Sequence, residues 1–118
     1  MRILKVEPGE IPYEKDLDNT LSAIQNEVGG GLFEIVRLDN DMILCCNEEG
    51  KLNGMEMNRR LADDIICGPF FVVGDDGEGD FTSLTDRQIA DYKERFAQPE
   101  QFANYEPNAQ PFMRFTTF

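Results

Sequence analysis

Residues 65–73, with the sequence IICGPFFVV, form the most apolar segment of this 118-residue chain. A short, continuous apolar run is typical of a strand that is buried on both of its faces. Pro69 has no backbone N–H and Gly68 has no side chain, so this pair predicts a bulge or a break inside the run. We therefore expect a central strand over residues 65–73 that is interrupted near its middle.

Strand patterns also occur on the amino-terminal side of this segment. Residues 2–6 read as a first strand, and residues 32–38 and 42–46 read as a hairpin. The intervening Asp39-Asn40-Asp41 suits its turn, because Asn and Asp tolerate a positive φ. Residues 57–61 are predicted to form a short helix.

A first long helix is predicted from apolar residues spaced by four, three and four, which share one helical face. These residues are Leu17, Leu21, Ile24 and Val28. Either Asp18 or Asn19 is expected to cap the start of this helix. Gly29 or Gly30 is expected to end it.

A second helix is predicted after Leu84. Thr85 and Gln88 have the spacing of a capping box, and Leu84 can pack against Ile89 as a hydrophobic staple. Ile89, Tyr92 and Phe96 then form the buried stripe. The order of these elements predicts a small α+β domain with a largely antiparallel sheet of about four strands and two main helices.

The chain divides into a domain over residues 1–99 and an aromatic tail over residues 100–118. Pro99, Pro107 and Pro111 exclude a long helix in the tail. The tail either packs back over the domain or offers aromatic anchors to a partner. Its aromatic residues are Phe102, Tyr105, Phe112, Phe115 and Phe118.

Charge limits the function more than any motif does. The chain has 23 acidic residues against 11 basic residues and no histidine, which gives a formal net charge of −12. This imbalance disfavours direct nucleic-acid binding and excludes histidine catalysis. Residues 61–80 contain acids and no base, and they are candidates for binding a basic protein. The acids are Asp63, Asp64, Asp75, Asp76, Glu78 and Asp80.

The cysteines agree with a reducing compartment. Cys45, Cys46 and Cys67 are odd in number and two are adjacent, so they cannot form a full disulfide framework. We expect all three to be buried as small apolar side chains. We also expect no metal site, no cofactor and no membrane span, and a cytoplasmic location.

A polar cluster offers an alternative site. Its amide, ammonium and guanidinium donors surround two predicted turns and suit a carboxylate or a phosphate. The alternative is a structural role, in which the amides cap local turns and the arginines pair with surplus acids. The cluster consists of Asn47, Lys51, Asn58, Arg59 and Arg60.

Several short motifs, in order along residues 2–99, resemble the family called domain of unknown function 3846. They are Val6-Glu7-Pro8-Gly9, Val28-Gly29-Gly30, Asn47-Glu48-Glu49-Gly50-Lys51-Leu52, Asn58-Arg59, Gly68-Pro69-Phe70 and Ser83-Leu84-Thr85-Asp86. The resemblance implies a small bacterial or phage protein of mobile elements, often encoded near antirestriction genes. It implies no activity and no catalytic residue. The Phe-rich tail and the acidic insertion at residues 75–80 depart from the family pattern.

Two functions from different classes are compatible with these observations. The first is a non-catalytic, anti-defence inhibitor, either anti-CRISPR or antirestriction, whose acids block a basic, nucleic-acid-binding surface of a host protein. The second is a small-ligand protein or sponge that captures a nucleotide or another anion through the polar cluster. An enzyme is not expected, because a cysteine nucleophile would lack an imidazole base.

Overall fold

The computed structural model describes residues 1–39 and 41–102 and the backbone of Thr116 and Thr117. These residues contain nine strands and two helices. In chain order they are β1 (Arg2–Val6), β2 (Tyr13–Asp16), α1 (Leu21–Glu27), β3 (Phe33–Asp39), β4 (Met42–Asn47), β5 (Met57–Leu61), β6 (Asp64–Cys67), β7 (Phe70–Asp75), β8 (Phe81–Thr82), α2 (Asp86–Arg95) and β9 (Thr116–Thr117).

The main sheet has the strand order β2-β1-β7-β4-β3-β9, and every neighbouring pair is antiparallel. The short strand β8 pairs with the end of β7, and β5 and β6 form a separate hairpin. The predicted α+β class, with two helices and an antiparallel sheet, is confirmed. The sheet has more strands than the four expected, because the edge strand β2 has a polar sequence that reads as a link.

The apolar segment at residues 65–73 decides this topology. It is divided at Gly68-Pro69, as expected, and gives β6 before the break and β7 after it. Strand β7 lies between β1 and β4, where Val72 faces Leu4 on one side and Leu44 on the other. The prediction of a central, interrupted strand is therefore confirmed, although only its second half belongs to the main sheet.

The side chains of β7 alternate between two apolar layers, as the pleat of a strand requires. Phe70 and Val72 face the layer that contains α2 and the β5–β6 hairpin, which we call the α2 face. Phe71 and Val73 face the layer that contains α1, the α1 face. The sheet is thus covered on both sides, which explains the continuous apolar sequence of its centre.

The prediction of a helix at residues 57–61 is wrong. These residues form β5, which pairs with β6 across a tight turn at Ala62 and Asp63. A five-residue helix gains little from its few internal hydrogen bonds. Pairing with the apolar strand β6 satisfies the same backbone groups and buries Leu61.

The first helix is shorter than predicted. It begins at Leu21, and its N-cap is Thr20, whose hydroxyl accepts the Ala23 N–H at 3.2 Å, rather than Asp18 or Asn19. Leu21 is 63% exposed and does not belong to the buried stripe. Leu17 is buried, but it lies before the helix, where it pairs with Met1 through backbone hydrogen bonds.

The second helix forms as its sequence predicts. The Thr85 hydroxyl accepts the Gln88 N–H at 3.2 Å, and the Gln88 side chain accepts the Thr85 N–H at 2.8 Å. These reciprocal bonds are the capping box. Ile89, Tyr92 and Phe96 are buried against the α2 face.

Most of the aromatic tail lies outside the described residues, including Tyr105, Phe112, Phe115 and Phe118. A domain boundary at residue 99 and the role of the tail therefore stay predictions. Within the described part, Phe102 lies beneath the Arg60 guanidinium, whose Cζ is 5.3 Å from the ring centre. Thr116 and Thr117 pair with Ile35 and Glu34 of β3.

All three cysteines are free and buried. Cys45 and Cys46 are adjacent on β4 and point into opposite apolar layers. Burial raises the pKa of each thiol, and at Cys67 the nearby Lys51 charge only partly opposes this shift. The reactive thiolate is therefore disfavoured in the folded protein.

We expect a thiol reagent to modify the native protein very slowly near neutral pH and to titrate all three cysteines in denaturant. The physical reason is that each thiol must leave the core before it can ionise. Absorbance of a disulfide-exchange reagent, read with and without guanidinium, measures the difference. A fast native reaction of any thiol would contradict its burial.

Candidate functional site

Four chain segments converge at the end of the sheet where β1 begins. They are the β1 start, the link between β2 and α1, the β3–β4 turn and the β7–β8 loop. They meet there because antiparallel neighbours place their connections alternately at opposite ends of the sheet. We call this region the acidic end. Its carboxylates are Asp16, Asp18, Asp39, Asp41, Asp75, Asp76, Glu78 and Asp80.

Direct contacts hold these segments together. The Asp75 N–H donates to the Asp41 carbonyl at 2.9 Å, which ties the loop after β7 to the β3–β4 turn. The Asn19 amide donates to an Asp80 carboxylate oxygen at 3.1 Å, which ties the same loop to the α1 link. The acidic end is therefore one connected surface rather than three separate loops.

The β7–β8 loop is ordered by its own carboxylates. Asp76 accepts the N–H groups of Glu78 at 2.7 Å and Asp80 at 3.1 Å, and Asp75 accepts the Gly77 N–H at 3.0 Å. The Gly77 hydrogen bond and the Arg37 guanidinium lower the pKa of Asp75. These bonds hold the loop in place, and at Asp75 they favour the charged form of the carboxylate.

The predicted partner-binding acids fall into two groups. Asp75, Asp76, Glu78 and Asp80 belong to the acidic end, whereas Asp63 and Asp64 lie at the β5–β6 turn. That turn borders a cleft of about 370 Å³ on the α2 face of β3, lined also by Arg37 and Arg95.

Asp63 is exposed at the tip of the turn, but Asp64 is buried. The Asp64 carboxylate forms an ion pair with Lys51 and accepts the Ile65 N–H at 2.7 Å. The two neighbouring acids therefore differ: Asp63 faces solvent, and Asp64 orders the hairpin.

Sequence reasoning missed half of the acidic end. Asp16, Asp18, Asp39 and Asp41 are far from residues 75–80 in the chain, and no local pattern connects them. The available signal was that acids flank several predicted strands. Only the strand order shows that those strand ends meet.

The two asparagines of the alternative cluster serve the backbone. The Asn47 amide donates to the carbonyls of Val28 at 3.0 Å and Gly30 at 2.6 Å, which closes the end of α1. The Asn58 amide donates to the carbonyls of Val6 at 3.0 Å and Gly68 at 2.9 Å. Both side chains therefore satisfy backbone carbonyls that would otherwise be buried without a hydrogen bond.

Arg59 is buried to 1% exposure and joins three elements. Its guanidinium donates to the Phe96 carbonyl at 3.2 and 3.1 Å, at the end of α2, and to the Glu10 carbonyl at 2.6 Å, in the β1–β2 loop. It also donates to the Asn58 side chain at 2.8 Å. These contacts engage the whole guanidinium fork within the protein.

The remaining cluster members differ in exposure. Lys51 is paired with Asp64, and Arg60 is exposed, with its Nε 3.5 Å from a Glu100 oxygen. The five residues are thus distributed over separate internal contacts. A small-ligand site built from them would require several of these donors to exchange partners.

We expect Arg59→Met to lower the free energy of unfolding by about 3 kcal/mol or more, because buried carbonyls lose their donors. Arg60→Met is the matched control, and its exposed side chain should cost less than about 1 kcal/mol. Urea denaturation followed by circular dichroism measures both. If Arg59→Met were as stable as the wild type, the structural role of Arg59 would be contradicted and its guanidinium would be available to a ligand.

A second buried charge cluster was not predicted. On the α1 face, the Lys5 ammonium donates to the Glu27 carboxylate at 2.6 Å and to the Glu27 carbonyl at 2.7 Å. Lys15 donates to the same carboxylate at 3.1 Å. Burial alone would raise the pKa of Glu27, but the hydrogen bonds and charges of the two lysines outweigh it and lower the pKa.

We expect Glu27→Gln to lower the free energy of unfolding by about 3 kcal/mol at neutral pH, because Lys5 keeps a buried charge without a counter-ion. Since the folded pKa of Glu27 is lowered, this contribution is full above the unfolded value near 4.3 and is lost as the pH falls through the folded value. The difference between the proteins should therefore shrink below about pH 4.

Glu14→Gln is the control for this prediction, because its partly exposed carboxylate pairs with Arg2 at the sheet edge. It should cost less than about 1 kcal/mol at any pH. Urea titrations from acidic to neutral pH measure all three proteins. A pH-independent effect of Glu27→Gln would contradict the charged pair.

Within residues 1–39 and 41–102, no three His, Cys, Asp or Glu residues are grouped so that they could hold a metal ion. Neither α1 nor α2 is long and apolar enough to cross a membrane.

Fold and site together define a small, acidic α+β protein with an ordered carboxylate surface. A family model described as "Domain of unknown function (DUF3846)" matches residues 1–97, and the chain belongs to this family. The resemblance read from the motifs is thus confirmed. Searches of curated proteins and of solved structures found no match.

Proposed function

We propose that this chain is a non-catalytic, protein-binding protein of a phage or mobile element that uses the acidic end to cover a basic surface of a host protein. The observation that supports this proposal is the convergence of eight carboxylates from separate segments on one sheet end. The host surface is one that normally binds nucleic acid, so the bound inhibitor replaces phosphates with carboxylates.

The rigidity of the acidic end favours this role. Its loops are held by the Asp75–Asp41, Asn19–Asp80 and Asp76–Asp80 hydrogen bonds, so little conformational entropy is lost on binding. An excess of fixed negative charge also accelerates encounter with a basic partner and makes the association sensitive to salt. A host defence protein, either a CRISPR effector or a restriction enzyme, is the target class that the family resemblance implies.

The non-catalytic part of the proposal follows from the available nucleophiles. The chain has no histidine, and its cysteines are buried with raised pKa values. Most of the charged groups at the acidic end are carboxylates, and those of Asp75, Asp76 and Asp80 accept backbone N–H groups of their own loop. This chemistry suits electrostatic recognition better than proton or group transfer.

The proposal is tested with a triple variant, Asp76→Asn, Glu78→Gln and Asp80→Asn. These changes remove three charges, but each keeps an oxygen that can accept the backbone N–H groups of the loop. We expect the variant to lose at least tenfold in affinity for a partner captured by the wild type from a nuclease-treated bacterial lysate. Calorimetry of the purified pair measures the loss, and the partner should release nucleic acid when the wild type binds.

The control triple is Glu10→Gln, Glu49→Gln and Glu56→Gln. These three exposed acids lie at the opposite end of the sheet, so the total charge changes equally. The control should bind almost as the wild type does. Equal losses in both triples, or an affinity unchanged between about 0.05 and 0.5 M salt, would contradict recognition by the acidic end.

A further inference from the structure

An open groove lies on the α1 face beside the acidic end. Its floor consists of Phe33, Ile35 and Ile43, and Phe81 forms one wall. The volume is about 300 Å³. We call it the β3–β4 groove, because its floor residues lie on those two strands.

Within the part of the chain that the structure describes, the groove exists because α1 is too small to cover its face of the sheet. A helix with its side chains is about 10–12 Å wide, whereas five strands at about 4.8 Å spacing span about 19 Å. The Glu27–Lys5 contact places the end of α1 over β1. Apolar side chains of β3 and β4 are therefore left beside it, with Ile35 and Phe81 only partly buried.

The end of this groove already binds a guanidinium. Arg37 of β3 extends across β4 to Asp75 of β7, with 2.7 Å between Nη2 and Oδ2. The Arg37 side chain remains 55% exposed, whereas the Asp75 side chain is only 10% exposed. The guanidinium is therefore the half of the pair that reaches solvent, where another guanidinium can replace it. Asp80, also on the rim, adds a second carboxylate to the same position.

We propose that the β3–β4 groove binds an arginine of the partner, with a neighbouring apolar side chain of the same segment on the groove floor. This inference rests on the proposed function and specifies what the partner inserts beside the acidic end. The incoming guanidinium pairs with Asp75 and Asp80, and Arg37 competes with it for Asp75. Charge complementarity favours this occupant over a second copy of the chain, because two acidic ends repel each other.

Arginine fits this groove for two physical reasons. Its planar fork binds carboxylates with two parallel hydrogen bonds, and its aliphatic stem can lie on apolar surface such as Ile35 and Phe81. The aromatic ring of Phe81 can also attract the cation from its face. A lysine offers the charge without the fork and should bind more weakly.

The first probe is an end-capped peptide, Gly-Arg-Phe-Arg-Gly, titrated into the full chain and followed by calorimetry. The matched control peptide carries citrulline in place of both arginines, which keeps the size of the side chains and removes their charge. We expect the arginine peptide to bind at least tenfold more tightly. Equal affinity of the two peptides would overturn the proposal.

Two protein variants test the groove itself. Arg37→Gln removes the internal competitor for Asp75 and should tighten binding of the arginine peptide severalfold. Weaker or equal binding would mean that Arg37 does not compete with the peptide for Asp75. Ile35→Thr keeps the branched side chain of a strand residue but makes the floor polar, and it should weaken binding at least threefold. Val36→Thr, which faces the opposite side of β3, is the control and should bind as the wild type does.

The same variants separate this inference from the proposed function. If the captured partner depends on the Asp76, Glu78 and Asp80 charges but not on Ile35, the acidic end binds the partner and the groove does not. If sedimentation shows a dimer that Ile35→Thr dissociates, the occupant is a second copy and the inference is wrong. Circular dichroism of every variant confirms that its fold is intact before affinities are compared.

Discussion

Strand β7 is buried on both faces, and its two alternating sets of side chains hold the two covering layers on the sheet. Phe70 and Val72 contact the layer of α2 and the hairpin, while Phe71 and Val73 contact the layer of α1. Its neighbours β1 and β4 pair with it on either side, so its backbone is satisfied without solvent. The turn at Gly68-Pro69 then directs β6 out of the sheet, where β5 joins it as the hairpin.

Buried polar side chains connect the layers that β7 separates. Arg59 and Asn58 link the hairpin to the end of α2 and to the end of β1, and Asn47 closes α1 against β4. Each of these groups replaces the water that a buried carbonyl loses on folding. They were candidates for ligand binding because the residue types that bind anions are also those that satisfy buried carbonyls. Their burial and their carbonyl contacts favour the structural role, whereas their identity alone is compatible with both roles.

The acidic surface has a different origin, because it comes from connections rather than from strands. The turn and loop residues at one end of an antiparallel sheet are far apart in sequence and close in space. Asp39 and Asp41 approach Asp75 for this reason, through the bond from the Asp75 N–H to the Asp41 carbonyl. The proposed binding of a basic partner at this end, and of its arginine in the adjoining groove, depends on that convergence.

Local sequence determined the elements whose signals are short-range. The capping box at Thr85, the glycine stop after Val28 and the break at Gly68-Pro69 are all set by the conformations open to a few residues. Tertiary structure alone decided that residues 57–61 form a strand, that Leu21 is exposed and that Arg59 is buried. The strand depends on pairing with β6, and the burial of Arg59 depends on the carbonyls of Phe96 and Glu10, which are distant in the chain. The exposure of Leu21 depends on where α1 begins, at the Thr20 cap.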